Sequence, residues 1–373
     1  MKIIVAPDKF KGSLNSFEVC NAITTGIKRS GKSIEVLEFP MADGGDGFAI
    51  VMKHYLGTNT VYCDAVDPLG RSLAASYQWH EKEKVAIIEM AVASGLVLLK
   101  QEELDPMLTS TSGTGLIIKN AIERGAGKII LGLGGSATND AGTGILSALG
   151  FQFVDANDKF LQASGGNLLN IRKIIRPSFT PRVKFEIASD VQNILYGPKG
   201  AAYVYAPQKG AGKEQVLMLD KGLQNFAAII KRETGKDISA IPGTGAAGGI
   251  AAGLLPFFNV EMKKGIELII DVSKIREALE NADLVITGEG RIDEQSGEGK
   301  VVGYMAKLAG EYNISCIAIC GILELGEVGI KTLGLQKAIP IISNDSLSKE
   351  MAMKNARELL TEKTFEMLTA LKL

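Results

Sequence analysis

Six acidic side chains, Asp8, Asp43, Asp140, Asp190, Glu289 and Asp293, stand singly in turns otherwise made of glycine, serine, threonine and lysine. Phosphoryl transfer asks for that set. Backbone amides and lysines hold a polyphosphate, carboxylates hold Mg2+, often through water, and one carboxylate takes the proton of the acceptor hydroxyl. Histidine is not required, and the chain has only two, His54 and His80. That scarcity excludes a His-rich zinc site and confines a Ser-His-Asp hydrolase to one of these two. His54 falls late in a helical pattern and His80 at the end of a polar hairpin strand, so both read as structural.

The densest turn lies in residues 128–144, KIILGLGGSATNDAGTG. The apolar run 129–133 reads as a buried strand emptying into Gly134-Gly135-Ser136-Ala137-Thr138, then Asn139-Asp140, Gly142, Gly144 and a helical pattern through Leu149. Strand, glycine-rich turn and helix start leave backbone N–H groups uncovered, which favours an anion such as phosphate. Ser136 and Thr138 add hydroxyls, and Asp140 adds a carboxylate able to hold a cation between phosphates. An ordinary glycine-rich connection is the plain alternative. Just upstream, residues 109–115 pack five hydroxyls and two glycines ahead of a helix, more than one cap needs. Phosphate or substrate contact is the other use for them.

These turns need strands to present them. The first 60 residues read βαβα, with strands at 2–6 and 34–39 and helices at about 16–29 and 46–55. PDKFKGSLNS (7–16) and MADGGDG (41–47) therefore fall at the carboxyl ends of two strands. Open α/β sheets bind ligands there, so Asp8, Lys9, Lys11, Asp43 and Asp46 are placed for a site. Residues 26–33 match the P-loop pattern G-x4-G-K-[ST], but they come off a helix and lead into a strand. That is the reverse of what the mechanism needs, and the match is rejected.

Residues 60–90 change character, to short strands at 61–66, 72–80 and 85–90 joined by tight polar turns. Such a meander points to a second domain with antiparallel strands. A strand at 183–188 ends at Ser189, Asp190 and Asn193, and a helix spans about 214–234. Gly243-x-Gly245-x-x-Gly248 is a formal dinucleotide fingerprint, yet no strand precedes it and no acidic residue follows where ribose binding requires one. Close backbone packing, or approach to a substrate, is the reading. After residue 265 the alternation returns: strand 267–272, helix 273–281, strand 284–287, then GEGRIDEQ and Gly299-Lys300 opening a helix to about 312. Strands at 316–320 and 338–342 precede a terminal helical region at about 347–371. Three βα steps here and two at the N-terminus make a five-stranded doubly wound sheet, with the middle of the chain as an insertion.

Length and composition agree. The 373 residues leave room for two or three domains, and 46% apolar with 22% charged is a globular balance. Net charge is −1 with few aromatics, so nothing draws the chain to nucleic acid. Four apolar residues before Pro7 are too few for a signal peptide, and the apolar stretch 245–258 is short, glycine-rich and cut by Pro256. The four cysteines lack metal or redox spacing, and a cytoplasmic location without a membrane is expected.

The strings APDKFKGSLNS, MADGGDG, MAVASGL, TSTSGTG, LGLGGSATNDAGTG, SDVQN, APQKGAG, PGTGAAGG and GEGRIDEQSGEGK occur in that order over nearly the whole chain. The series resembles that of bacterial glycerate kinases of the first type. The resemblance implies ATP-dependent phosphorylation of D-glycerate with Mg2+, in this branch usually to 2-phosphoglycerate. A glycerate 3-kinase, or a kinase of another small hydroxy acid, is the alternative. It also implies two α/β domains, one of them flavodoxin-like and discontinuous, with the active site in the cleft between them. The chain order then gives residues 1–62 and 284–373 to the doubly wound parallel sheet, and 63–283 to an inserted domain with a mixed sheet and the phosphate loop. Hinges are expected near 60–65 and 282–286. The family commonly has serine where this chain has Lys9, and its Asn-Pro-Leu is replaced here by Asn193-Ile194-Leu195.

Motif position and chemistry together then assign roles. Asp190 is the first choice for general base, with Lys9 and Asp43 also catalytic. Asp8, Lys11, Arg291 and Ser112 bind substrate; Lys9, Lys11 or Arg291 pairs with the glycerate carboxylate, a guanidinium through two parallel hydrogen bonds. Gly134, Gly135, Ser136, Thr138, Asn139, Asp140 and Thr114 hold ATP phosphates, and Asp43, Asp293 and Glu289 form the Mg2+ shell. The carboxylate roles are interchangeable, because a sequence carries no distances. D-glycerate and ATP are the expected partners, without nucleic acid, for a monomer or homodimer. Two other classes stand beside this one: an NAD-dependent oxidoreductase using residues 243–248, and a non-catalytic nucleotide or sugar-acid sensor.

Overall fold

The computed structural model describes residues 1–297, 300–342 and 348–370, without the side chains of Gln295 and Lys349. Gly299, expected to open a helix, and positions 347 and 371 at the ends of the expected terminal helical region lie outside them. The strands, in chain order, are β1 (Lys2–Val5), β2 (Glu35–Glu38), β3 (Asn59–Val66), β4 (Ser72–His80), β5 (Val85–Glu89), β6 (Lys128–Gly132) and β7 (Gln152–Val154). They continue as β8 (Lys173–Ile175), β9 (Lys184–Ala188), β10 (Asn259–Lys263), β11 (Leu284–Ile292), β12 (Ser315–Leu323) and β13 (Lys337–Pro340). Two compact units result, residues 1–43 with 264–373, and residues 44–263.

The first unit is a five-stranded sheet ordered β13-β12-β11-β1-β2, every pairing parallel. Renumbered within the unit, this is the flavodoxin-like order 2-1-3-4-5, whose ligand crevice opens at the carboxyl ends of the strands, between β1 and β11. Ile3, Val5, Ile286, Ile317 and Ile319 are fully buried, as expected for a parallel sheet covered by helices. The helix Ser16–Arg29 begins at Asn15, whose side chain accepts from the Glu18 N–H at 3.0 Å while Glu18 answers to the Asn15 N–H at 2.9 Å. The rejected P-loop string is explained here. Gly26 lies inside this helix, and a Cβ there would stand 2.5 Å from the Thr361 carbonyl of the helix Ala356–Ala370. Its glycine serves helix packing.

One expected strand is a helix. Residues 267–272 lie in the helix Gly265–Ser273, where Ile266, Ile269, Ile270 and Ser273 line one buried face and Leu268 is buried as well. Short runs rich in isoleucine satisfy either period, and the spacing 266, 269, 270, 273 is the helical one. Another strand is longer than expected: β11 runs on to Ile292, so Glu289, Gly290 and Arg291 are strand residues, with Glu289 and Arg291 paired to β12.

The second unit holds a six-stranded mixed sheet, β10-β9-β6-β5-β4-β3, and the small pair β7-β8. β5, β6, β9 and β10 run parallel, and β4 and β3 add antiparallel edges. The unit boundaries fall at 43/44 and 263/264 rather than 62/63 and 283/284. β3 pairs with β4 along its whole length, which carries residues 59–66 into this sheet. Trp79, Phe151, Phe153, Phe185 and Phe226 fill its core. The face carrying Lys128, Lys184, Glu186, Glu261 and Lys263 bears cross-strand ion pairs of 2.7–3.6 Å.

Candidate active site

The carboxyl ends of β1, β2 and β11 bring four of the acidic residues together in the first unit. Asp8 follows β1 and is 6% exposed. Its N–H donates to the Gly288 carbonyl at 2.8 Å, and its Oδ1 accepts from the Lys9 N–H at 2.7 Å. Burial, then the neighbouring Asp43 and Glu289 charges, push its pKa up to about 7 against the opposing pull of Lys9. Lys9 Nζ stands 3.8 Å from Asp43 Oδ1. Glu289 is 8% exposed, and its Oε1 has no hydrogen-bond partner among the described residues. Burial raises its pKa, with Ser296 and Lys300 pulling the other way and Asp293 and Asp43 adding to the rise. Asp293 is tied to its own turn, its N–H donating to Ser296 Oγ at 3.1 Å, with Lys300 Nζ 3.9 Å from its carboxylate.

Buried carboxylates that raise one another's proton affinity, one with an unpartnered oxygen, form a donor set suited to a hard cation. Among the described residues no three His, Cys, Asp or Glu groups converge as a closed metal cluster. Mg2+ needs no such cage, since one or two carboxylates, water and substrate phosphates complete its shell. The residues present fit that ion.

Two expected substrate residues of this unit are placed differently. Arg291 projects from β11, pairs with Glu324 and lies 3.6 Å from Asp293, with 58% of its side chain exposed. Its guanidinium already has carboxylate partners. Lys11 is exposed beside Phe10 on a small apolar cavity of about 70 Å³ that Ile341 and Met353 also line.

In the second unit the turn after β6 has its own architecture. Gly135 carries φ +74° and Gly142 φ +71°, conformations open to glycine. Ala141, at φ +52°, adopts the same region and is held by its N–H bond to the Gly248 carbonyl at 2.9 Å. Asp140 is fully buried. Its carboxylate accepts from Thr111 N (2.9 Å), Thr111 Oγ1 (2.8 Å), Gly142 N (3.1 Å) and Gly144 N (3.1 Å). Burial raises its pKa while those donors oppose the rise. With three of these donors on Oδ2 and one on Oδ1, Asp140 organises the turn. Thr114 is also fully buried, bonded to Ser94 Oγ (2.7 Å) and the Met90 carbonyl (3.2 Å). Ser112 shares a 2.8 Å bond with Ser110.

The outer edge of the turn is different. The N–H groups of Gly134, Gly135 and Ser136 have no acceptor among the described residues, while the Gly135 carbonyl is held by Leu96 N at 2.8 Å. Ser136 Oγ lies 3.2 Å from Thr138 Oγ1 and accepts from Thr138 N at 3.1 Å. Asn139 is fully buried, with both its carboxamide oxygen and nitrogen unpartnered among the described residues. Asp190, half-buried, follows β9, the immediate neighbour of β6, so it and the turn stand at the same end of the sheet.

Sequence reasoning missed Lys209. It lies in the quoted APQKGAG string yet drew no role, because a lysine in a polar string reads as solvated. It is 2% exposed, and its Nζ donates to the Thr138 carbonyl at 2.5 Å and to Ser136 Oγ at 3.4 Å. The formal dinucleotide fingerprint is packing, one of the two readings held for it. A Cβ on Gly248 would overlap the Thr138 carbonyl, and one on Gly253 the Ala141 carbonyl. The histidines stay structural: His80 Nδ1 accepts from Glu83 N at 3.0 Å, and the His54 ring meets Tyr55 edge-on.

Comparison with known proteins shows the family of the chain. The model of the glycerate kinase family matches residues 3–372. A glycerate kinase of Haemophilus influenzae is 43% identical over 345 residues, 92% of this chain and 91% of that one. A glycerate 2-kinase of Escherichia coli is 40% identical over 333 residues, 88% and 87% of the two chains. The crystal structure of a Salmonella typhimurium LT2 protein assigned as a glycerate kinase 2 superposes with a TM-score of 0.85 at 36% identity, covering 100% of this chain and 98% of that one. No helix among the described residues is long and apolar enough to cross a membrane.

Proposed function

Because the chain belongs to the glycerate kinase family, we propose that it transfers the γ-phosphoryl group of ATP to D-glycerate, giving 2-phospho-D-glycerate and ADP. The observation that carries this reading is the row of unpartnered N–H groups on Gly134, Gly135 and Ser136 at the end of β6. Amides of that kind bind phosphate oxygens without paying for reorganisation at the moment of reaction.

The acidic and basic groups then divide the work. Asp190 stands at the sheet end that carries the amide row, and takes the proton of the glycerate hydroxyl as its oxygen bonds to the γ-phosphorus and the bond to the ADP oxygen breaks. Lys9 holds the glycerate carboxylate, which replaces its long contact with Asp43. Asp8, buried and with its pKa near 7, orients the substrate hydroxyls as donor or acceptor. Asp43, Glu289 and Asp293 would hold Mg2+, which when bound neutralises charge on the transferring phosphate. Glu289 offers its buried, unpartnered oxygen for that purpose. Arg291, engaged with Glu324 and Asp293, stays out of the substrate shell. ATP and a small organic acid fit a cytoplasmic enzyme, acting as monomer or homodimer.

Phosphorus NMR of the purified protein with ATP, Mg2+ and D-glycerate tests the proposal. A new phosphomonoester coupled to one CH proton is the expected product; coupling to a CH2 identifies a 3-kinase. No phosphomonoester from D-glycerate, with ATP still bound, overturns the glycerate assignment and sends the enzyme to other hydroxy acids. Asp190→Asn is expected to abolish the signal in a protein that folds and binds ATP.

A further inference from the structure

We propose that Lys209 is a positioning residue for the nucleotide phosphates, acting from beneath the turn after β6 through Ser136 and Thr138. This rests on the reading of Gly134–Ser136 as the phosphate cradle. Lys209 closes the short helical turn Pro207–Lys209, where its N–H bonds the Ala206 carbonyl at 3.0 Å and Gly210, at φ +98°, reverses the chain. A Cβ on Gly210 would overlap the Leu104 carbonyl, so that reversal is fixed by packing and the side chain is directed inward. An ammonium buried to 2% exposure with no carboxylate of the described residues within salt-bridge distance is costly, and burial pulls its pKa down to about 7 with Asp140 opposing. Chains rarely carry such a group without use for it.

The hydrogen bonds show the use. Lys209 draws the Thr138 carbonyl and the Ser136 hydroxyl to the inner side of the turn, and Leu96 N does the same for the Gly135 carbonyl. With those oxygens held inside, the N–H groups of Gly134, Gly135 and Ser136 remain without internal acceptors. The ammonium has three donors and, among the described residues, two acceptors, so one proton is unmatched by them. The adjacent Asn139 carboxamide is buried and unpartnered too. A positive charge bonded to Ser136 Oγ and the Thr138 carbonyl, beside amides without internal acceptors, favours a phosphate anion, and Lys209 supplies the countercharge.

Lys209→Met keeps the buried stem and removes both bonds and charge. It is compared with Ser136→Ala by ATP titration calorimetry and by steady-state kinetics, with thermal melting to confirm folding. The expected result is a rise of about tenfold or more in the Kd and KM for ATP, the range of a lost charged hydrogen bond, with KM for D-glycerate within about twofold. A general loss of structure would move both substrates and the melting temperature. Unchanged ATP affinity in Lys209→Met while Ser136→Ala weakens it overturns the role of Lys209 and leaves the cradle standing. Unchanged ATP affinity in both overturns the cradle itself, and Lys209 with it. Should Lys209→Met fail to fold, Lys209→Gln, which keeps a donor for Thr138 but no charge, is read by the same split.

Discussion

Lys9 and Asp43 meet at 3.8 Å although one lies in the chain beyond β1 and the other in the chain beyond β2. Parallel neighbours end side by side, and the Met41 N–H bond to the Pro7 carbonyl at 3.0 Å fastens the two turns together. The pair is partly solvated, so its contribution to stability is small and its value lies in placement. Asp43→Asn is therefore expected to leave the melting temperature within about 2 °C and to lower kcat by about 100-fold or more, the scale of a lost electrostatic group in a site. A coupled ADP-release assay beside a melting curve reads both.

Asp140 and Asp190 should separate in the opposite manner. Asp140 accepts four hydrogen bonds that close the turn after β6. An asparagine can keep its oxygen where Oδ2 accepts three bonds and then turns its NH2 toward the Gly142 N–H, leaving that donor unpaired and costing roughly 1–3 kcal/mol. Urea unfolding of Asp140→Asn is expected to show that loss together with weakened ATP binding. Asp190→Asn should unfold as the wild type does and lose turnover alone.

Glycine-rich stretches 134–144 and 243–253 are one packed object. Gly248 sits at φ +73° against the Thr138 carbonyl. Gly248→Ala adds left-handed strain and overlap with backbone that has no flexible end to yield, and is expected to destabilise by about 2–4 kcal/mol. Gly127→Ala, where a Cβ meets nothing within 4 Å and the backbone is ordinary, is expected to be neutral or slightly stabilising. Paired denaturation curves check the contrast.

Lys209 also sets a pH dependence. Its folded pKa of about 7 lies below the 10.5 of a free lysine, so between those values the unfolded chain binds more protons. Stability from this group therefore rises as pH increases from about 7 toward 10.5, and is lowest below pH 7, where the buried amine must carry its charge. Lys209→Met is expected to flatten that rise, measured as the difference in urea midpoints between pH 7 and 9.5. An equal slope in variant and wild type would assign it to other groups.

Local sequence determined much of this protein. Alternating apolar runs and turns gave the five parallel strands of the first unit, because a strand buried on both faces has little choice of composition. The order of loops after those strands put Asp8, Lys9 and Asp43 at one sheet end, where topology alone brings them together. Chain order also exposed the false P-loop, since a glycine inside a helix cannot cradle phosphate. Where the period was ambiguous, the tertiary structure decided. Residues 265–273 became a helix because Ile266, Ile269 and Ile270 share one buried face. Three-dimensional packing alone assigned Asp140 and Thr114 to the interior, engaged Arg291 with Glu324, and turned Lys209 under a loop about 70 residues away in the chain. Residue type and spacing state which groups are able to do chemistry. Burial and hydrogen-bond partners, which belong to contacts distant in sequence, select the ones left with an unmatched donor or acceptor.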